Sequence, residues 1–258
     1  MPSVSYSCHS GIGAIELKSP PANTYGIDLI RELDKAIHAA ECDSDCGVVI
    51  MRSAVPGFFC GGADIKQFAA NAPRENIEMI TFAHETFCKI NQSEKIYIAE
   101  IAGHALGGGF EIALACDLRF ACTGKYRLGL PEVTLGLLPG NGGTQRLTAL
   151  VGVSRALELM TLGLRLTPEE ALALGLVNRL FSEDALHEQT TAVAKTLSNS
   201  ARLAVGKIKR SVYDGACHSL PAGLSIERRN IGVLLHSSDA KEGFAAFTER
   251  RQPDFTGQ

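Results

Sequence analysis

Two glutamates in unusual company are the residues of this chain best suited to chemistry. Glu111 is the only carboxylate in residues 104–117, HALGGGFEIALACD, before Asp117 at the far end. Glu132 follows Gly129-Leu130-Pro131 and precedes Gly136-Leu137-Leu138-Pro139-Gly140-Asn141-Gly142-Gly143-Thr144. A carboxylate set among apolar neighbours must be partnered, solvated or functional. Burial would raise its pKa toward a range useful for proton transfer. Two glycine-rich turns accompany the glutamates: Leu106-Gly107-Gly108-Gly109, and Cys60-Gly61-Gly62-Ala63-Asp64-Ile65-Lys66. Glycines ahead of a helix leave its first N–H groups free to face an anion. Backbone donors joined with carboxylates suit enolate chemistry, in which N–H groups stabilise a thioester oxyanion while carboxylates move protons. Taken singly, each segment also fits a purely structural role. The turns can be plain strand-to-helix connections, Glu132 a surface residue, and Glu111 a partner of the helix dipole worth ~0.3–1 kcal/mol. The residues alone leave both roles open.

Other chemistries lack their residues. The chain has no GxGxxG or P-loop, no GxSxG elbow and no HExxH, so nucleotide binding, serine-nucleophile and zinc-protease readings have no motif. Its seven histidines are scattered without a ligand pair, and none of its eight cysteines stands in CxxC spacing, so no metal site is expected. His104 reads as a structural histidine at a strand end. The cysteines read as reduced thiols in a cytoplasmic setting. A net charge of −3 gives no basic footprint for nucleic acid. No signal peptide and no membrane-length apolar run is visible, so the protein reads as soluble.

The elements that must position these groups follow from periodicity. Residues 11–18, 47–52, 96–101 and 117–122 read as strands, and 27–40 reads as an amphipathic helix. The apolar run after Gly109 reads as a further helix. Strand alternating with helix defines an α/β domain. After about residue 143 the strands nearly vanish. Thr167-Pro168-Glu169-Glu170 combines an N-cap, a proline and a capping-box glutamate, and Gly175 should end that helix. Residues 183–197, 201–214, 221–236 and 239–250 read as helices, the last three with apolar faces that little sheet remains to cover. There is no internal repeat of fixed period. At 258 residues the chain has room for one large domain with an appendage, here 1–200 as core and 201–258 as a helical region that packs on the body or on another subunit.

Taken together, CGGADIKQF, IAGHALGGGFEIALACDLRFA and LGLPEVTLGLLPGNGGTQRL resemble the three signature regions of the enoyl-CoA hydratase/isomerase (crotonase) family, in order and at suitable separations. The likeness continues through TPEEALALGLVNRLF to KEGFAAFTERRQPDF and so covers essentially the whole chain. The resemblance implies a spiral of ββα units with a C-terminal helical region that packs trimers, often paired as hexamers. It also implies an acyl-CoA thioester as the bound partner, no cofactor beyond the CoA of the substrate, and neither nucleic acid nor membrane as partner. By the same resemblance Ala63 and Gly108 are the oxyanion-hole donors, Asp64, Ile65 and Lys66 lie along the CoA, and Glu111 and Glu132 are the catalytic pair. Members with other reactions usually replace one or both glutamates. Keeping both points to reversible syn hydration of trans-2-enoyl-CoA, in fatty-acid or branched-chain acyl-CoA breakdown. An enoyl-CoA isomerase, a methylglutaconyl-CoA hydratase-like enzyme and a non-catalytic acyl-CoA- or RNA-binding member are the alternatives. The chain departs from the family at Ser19–Thr24, where members often carry a basic residue for the CoA phosphates; Lys66 or a basic C-terminal residue can substitute. Residues 69–92, which wall the acyl pocket in the family, carry no motif that reveals chain length.

Overall fold

The computed structural model describes residues 3–258 and builds two sheets by one repeated step. β1 (Val4–His9) and β2 (Ile12–Leu17) form an antiparallel hairpin, and α1 (Ile27–Cys42) follows. The first step is β3 (Val48–Ser53), β4 (Phe58–Cys60), α2 (Ile65–Ala70) and α3 (Pro73–Gln92). The second is β5 (Ile96–Ile101), β6 (His104–Leu106) and α4 (Gly108–Ala115). The third is β7 (Leu118–Cys122), β8 (Leu128–Gly129), a 3-10 turn over Glu132–Leu135 and α5 (Gly143–Val151). There follow α6 (Val153–Thr161), β9 (Arg165–Leu166), α7 (Pro168–Ala173), β10 (Arg179–Phe181), α8 (Glu183–Ser198), α9 (Arg202–Ala216), α10 (Leu220–Leu234) and α11 (Ser238–Glu249). In each step the first strand joins a large sheet of order β1-β2-β3-β5-β7-β10, and the second joins a small one of order β4-β6-β8-β9. Pairing is parallel except for β1–β2 and β8–β9. This is a spiral of ββα units, a structural repeat that runs without any fixed sequence period.

The central strands are buried on both faces, which is why β3 and β5 read as nearly continuous apolar runs. α1 turns Ile30, Leu33 and Ile37 fully inward, and α8 lies across the large sheet from β2 to β10. α4 is apolar almost all round, and every one of its residues is buried. β4, β6, β8, β9 and β10 run only two or three residues each, too short to carry a legible alternation. α3 is also absent from the sequence reading, although Pro73 and Glu75 announce it. The Glu75 carboxylate accepts from the Ala72 N–H at 2.8 Å, and Met79, Ala83, Phe87 and Ile90 form its buried stripe.

The C-terminal elements lie within two residues of expectation. In α7 the Thr167 hydroxyl accepts from Glu170 N, and the Glu170 carboxylate accepts from Thr167 N. α9 is pinned to the sheet by a buried cation. Lys209 Nζ donates to the Ile90 and Lys95 carbonyls and to Asp117 Oδ2 at 2.7–2.8 Å. α10 folds back on α9. The other faces of α9 and α10 leave Ile208, Val212 and Leu220 uncovered, and α11 leaves Phe244 and Phe247, the last 87% exposed. Among the described residues no helix is long and apolar enough to cross a membrane.

Candidate active site

The glycine triplet begins the site. Gly107 has φ +54°, a conformation that lets the chain turn from β6 straight into α4, and its N–H donates to the Gly129 carbonyl at 2.9 Å. A side chain on Gly108 would overlap the Tyr25 hydroxyl, and one on Gly109 would overlap the Cys60 carbonyl. The second glycine-rich turn is fixed by the strand-like residue Tyr25. Tyr25 N donates to the Gly62 carbonyl and Asp64 N donates to the Tyr25 carbonyl, both at 2.9 Å, with Ala63 held between. Gly62 backs onto the Leu106 carbonyl and the Gly108 nitrogen. Ala63 and Gly108 therefore meet, and neither N–H donates to a protein acceptor among the described residues.

Glu111 stands one turn into α4, 1% exposed. One oxygen, Oε1, accepts from Asn141 N at 2.7 Å and from Gly143 N at 2.8 Å. Arg146 ties down the loop that carries these donors, through the Asn141 carbonyl at 2.7 Å and Asn91 Oδ1 at 3.0 Å. Burial pushes the Glu111 carboxyl above the ordinary range, while the two N–H groups and the Arg146 charge oppose the rise. Glu132 differs. It opens the 3-10 turn, and its buried Oε2 has no hydrogen-bond partner among the described residues. Burial lifts its pKa to about 7, the negative charge of Glu111 pushes the same way, and only its own backbone N–H opposes. One carboxylate is thus anchored by two backbone N–H groups, and the other has a buried oxygen without a partner among the described residues and a pKa lifted to about 7.

Ala63, Ile65, Gly108, Glu111 and Glu132 all line one cavity of about 630 Å³. Its far walls are apolar, with Phe68, Met79 and Ile80 from α2–α3 facing Leu135, Leu137 and Leu138. Two expected residues do not face it. The Asp64 carboxylate instead caps α2, accepting from Lys66 N at 3.0 Å and Gln67 N at 3.2 Å, and Lys66 stands exposed outside. Sequence reasoning assigned no role to Tyr25, which reaches the site from a segment remote in sequence, or to Asn141, which follows Glu132 in the same glycine-rich stretch. His104 is structural, as expected: its Nδ1 accepts from Arg127 N at 3.1 Å and its ring lies 5.1 Å from that of Phe58.

A two-sheet ββα spiral with paired carboxylates beside two free N–H groups is an arrangement suited to enolate-type chemistry. Comparison with known proteins narrows the class. The family model described as Enoyl-CoA hydratase/isomerase matches residues 7–258, and the chain belongs to that family. It is 37% identical to a probable mitochondrial enoyl-CoA hydratase of Arabidopsis thaliana, covering 96% of this chain and 82% of that one. It is 34% identical to a probable enoyl-CoA hydratase of Bacillus subtilis over the full length of both. A solved enoyl-CoA hydratase structure from Geobacillus kaustophilus superposes with a TM-score of 0.98 at 42% identity, covering 100% of this chain and 98% of that one.

Proposed function

We propose that this protein is an enoyl-CoA hydratase that adds water reversibly across the double bond of a trans-2-enoyl-CoA. The observation that carries the reading is a pair of carboxylates in one cavity beside two unpaired N–H groups, one anchored by Asn141 N and Gly143 N and the other with a buried oxygen that has no partner among the described residues. The thioester oxygen is received by Ala63 N and Gly108 N, which polarise the conjugated double bond and stabilise the enolate that water addition creates. Glu111 keeps Oε1 on Asn141 and Gly143, leaving Oε2 to orient and deprotonate water at C3. Glu132 holds a proton near neutrality and delivers it to C2. Ala63 to Lys66 run along the CoA in this reading, with Ile65 on the cavity and Lys66 free for a phosphate. The apolar walls take the acyl chain. Hydration transfers no electrons, so the reaction needs no group beyond the CoA of the substrate, and a chelator should leave the rate unchanged. The exposed faces of α9–α11 support a trimer or dimer of trimers, and the eight free thiols support a reducing, cytoplasmic setting.

Loss of enoyl-thioester absorbance across short, medium, long and branched trans-2-enoyl-CoAs tests the reading. Hydration of at least one is expected, and folded protein that leaves all of them unreacted refutes it. Light scattering should give a multiple of three protomers, and a monomer at micromolar concentration refutes the assembly.

A further inference from the structure

Tyr25 is fully enclosed, yet it borders the cavity. Its backbone fixes Ala63 from both sides, through Gly62 and Asp64. Its ring then carries the hydroxyl to the position a side chain on Gly108 would occupy. In a helix the Cα–Cβ bonds tilt toward the N-terminus, the direction in which the first N–H groups also point. The Tyr25 hydroxyl therefore stands beside Gly108, on the side toward which its free N–H group opens. Tyr25 Oη accepts from Asn141 Nδ2 at 3.1 Å, and among the described residues its own proton has no acceptor. Burial, with the charge of Glu111 adding to it, holds the phenol well above its ordinary pKa, so the group stays a hydroxyl. An amide donor on the phenol oxygen polarises the O–H and makes it a stronger donor.

We infer that the Tyr25 hydroxyl is a third hydrogen-bond donor to the acyl oxygen, added by a side chain to the two backbone donors Ala63 and Gly108. This rests on the acyl-CoA reading of the cavity but not on hydration as the reaction. A phenol donor at this point makes the hole three-cornered and ties substrate polarisation to the Asn141 loop that also anchors Glu111.

The test is the carbonyl stretch of ¹³C-carbonyl butanoyl-CoA, an unreactive saturated thioester, measured by infrared difference spectroscopy on the bound whole protein. Tyr25→Phe should move the stretch to higher frequency. Site-specific fluorination of Tyr25 beside its hydroxyl keeps the shape while strengthening the donor, and should move it lower. In parallel, kcat/KM of Tyr25→Phe on an enoyl-CoA should fall about 10- to 100-fold, less than the ~10²–10³ of losing one donor from a smaller hole. An unchanged stretch in both variants overturns the assignment even where the rate falls, because a slipped Asn141 loop would slow the reaction without touching the carbonyl. If Tyr25→Phe fails to fold, the fluorinated protein alone decides, and an unshifted or raised stretch refutes the donor. Wild-type protein that does not bind butanoyl-CoA removes the acyl-CoA reading and this inference with it. Wild-type protein that binds and polarises the thioester but hydrates no enoyl-CoA removes only the hydration, and the Tyr25 assignment still stands or falls on the two shifts.

Discussion

Replacing Glu132 with glutamine should stabilise the fold at alkaline pH while impairing the site. In the folded chain burial raises this carboxyl from 4.5 to about 7. Between those values the native state holds a proton that the unfolded chain has released, so stability falls as pH rises through the window and levels off above it. One pKa unit corresponds to ~1.36 kcal/mol, which sets a ceiling of roughly 3 kcal/mol for the whole shift. The residue keeps partial contact with solvent, and screening brings the expected value down to about 1–2 kcal/mol. Glu132→Gln has nothing to ionise and escapes the loss. Urea unfolding of both proteins at pH 5, 6, 7 and 8 measures it: the curves should differ by a constant at pH 5 and diverge in favour of the variant up to pH 8. Parallel stabilities across the series would show that the carboxylate is well solvated, and the case for it as the proton-moving group would collapse.

Glu111→Gln and Glu132→Gln should each lower turnover about 10²–10⁴-fold with acyl-CoA affinity retained, and the double variant should lose less than the product because both act on one transition state; near-normal turnover in either single variant removes that residue from the chemistry. The hydration rate should decline as pH rises through about 7, as Glu132 gives up the proton it delivers, and a profile flat from pH 6 to 9 contradicts that role. Gly108→Ala should displace the Tyr25 hydroxyl and abolish acyl-CoA binding, which calorimetry with butanoyl-CoA would detect. Lys209→Met should leave Asp117 buried and unpaired, at a cost of about 3–5 kcal/mol read by chemical denaturation; a loss below 1 kcal/mol means the pair is solvated in practice.

How much of this could be read beforehand depended on where each interaction lies along the chain. The long strands β2, β3, β5 and β7 and the helices after residue 183 announce themselves by periodicity, because burial on one face or both repeats over enough residues to register. β4, β6 and β8 are set instead by the spiral, each drawn into place by its neighbours in the small sheet rather than by its own two or three residues. Glycine and proline crowding marks Glu111, Glu132 and the two glycine-rich turns in the sequence, and the family resemblance, not the local pattern, singles out Ala63 and Gly108 within those turns. The Asp64 side chain caps α2 through Lys66 N and Gln67 N, a local contact that its place directly ahead of a helix makes legible. Tyr25 and Asn141 could not be found in advance, since their contact spans 116 positions and leaves no local pattern.

A side chain added at Gly107, Gly108 or Gly109 would meet a different part of the molecule each time: the Glu132 carboxylate, the Tyr25 hydroxyl and the Cys60 carbonyl. Three consecutive positions therefore answer to three separate neighbours, and none can be altered without disturbing a segment remote in sequence. For protein engineering this splits the cavity into a half that cannot be rewritten and a half that can. Efforts to change which acyl group is accepted should leave the polar end alone and work on Leu135, Leu137 and Leu138, which are 46–67% exposed. There a residue can change size without a second segment having to move to receive it.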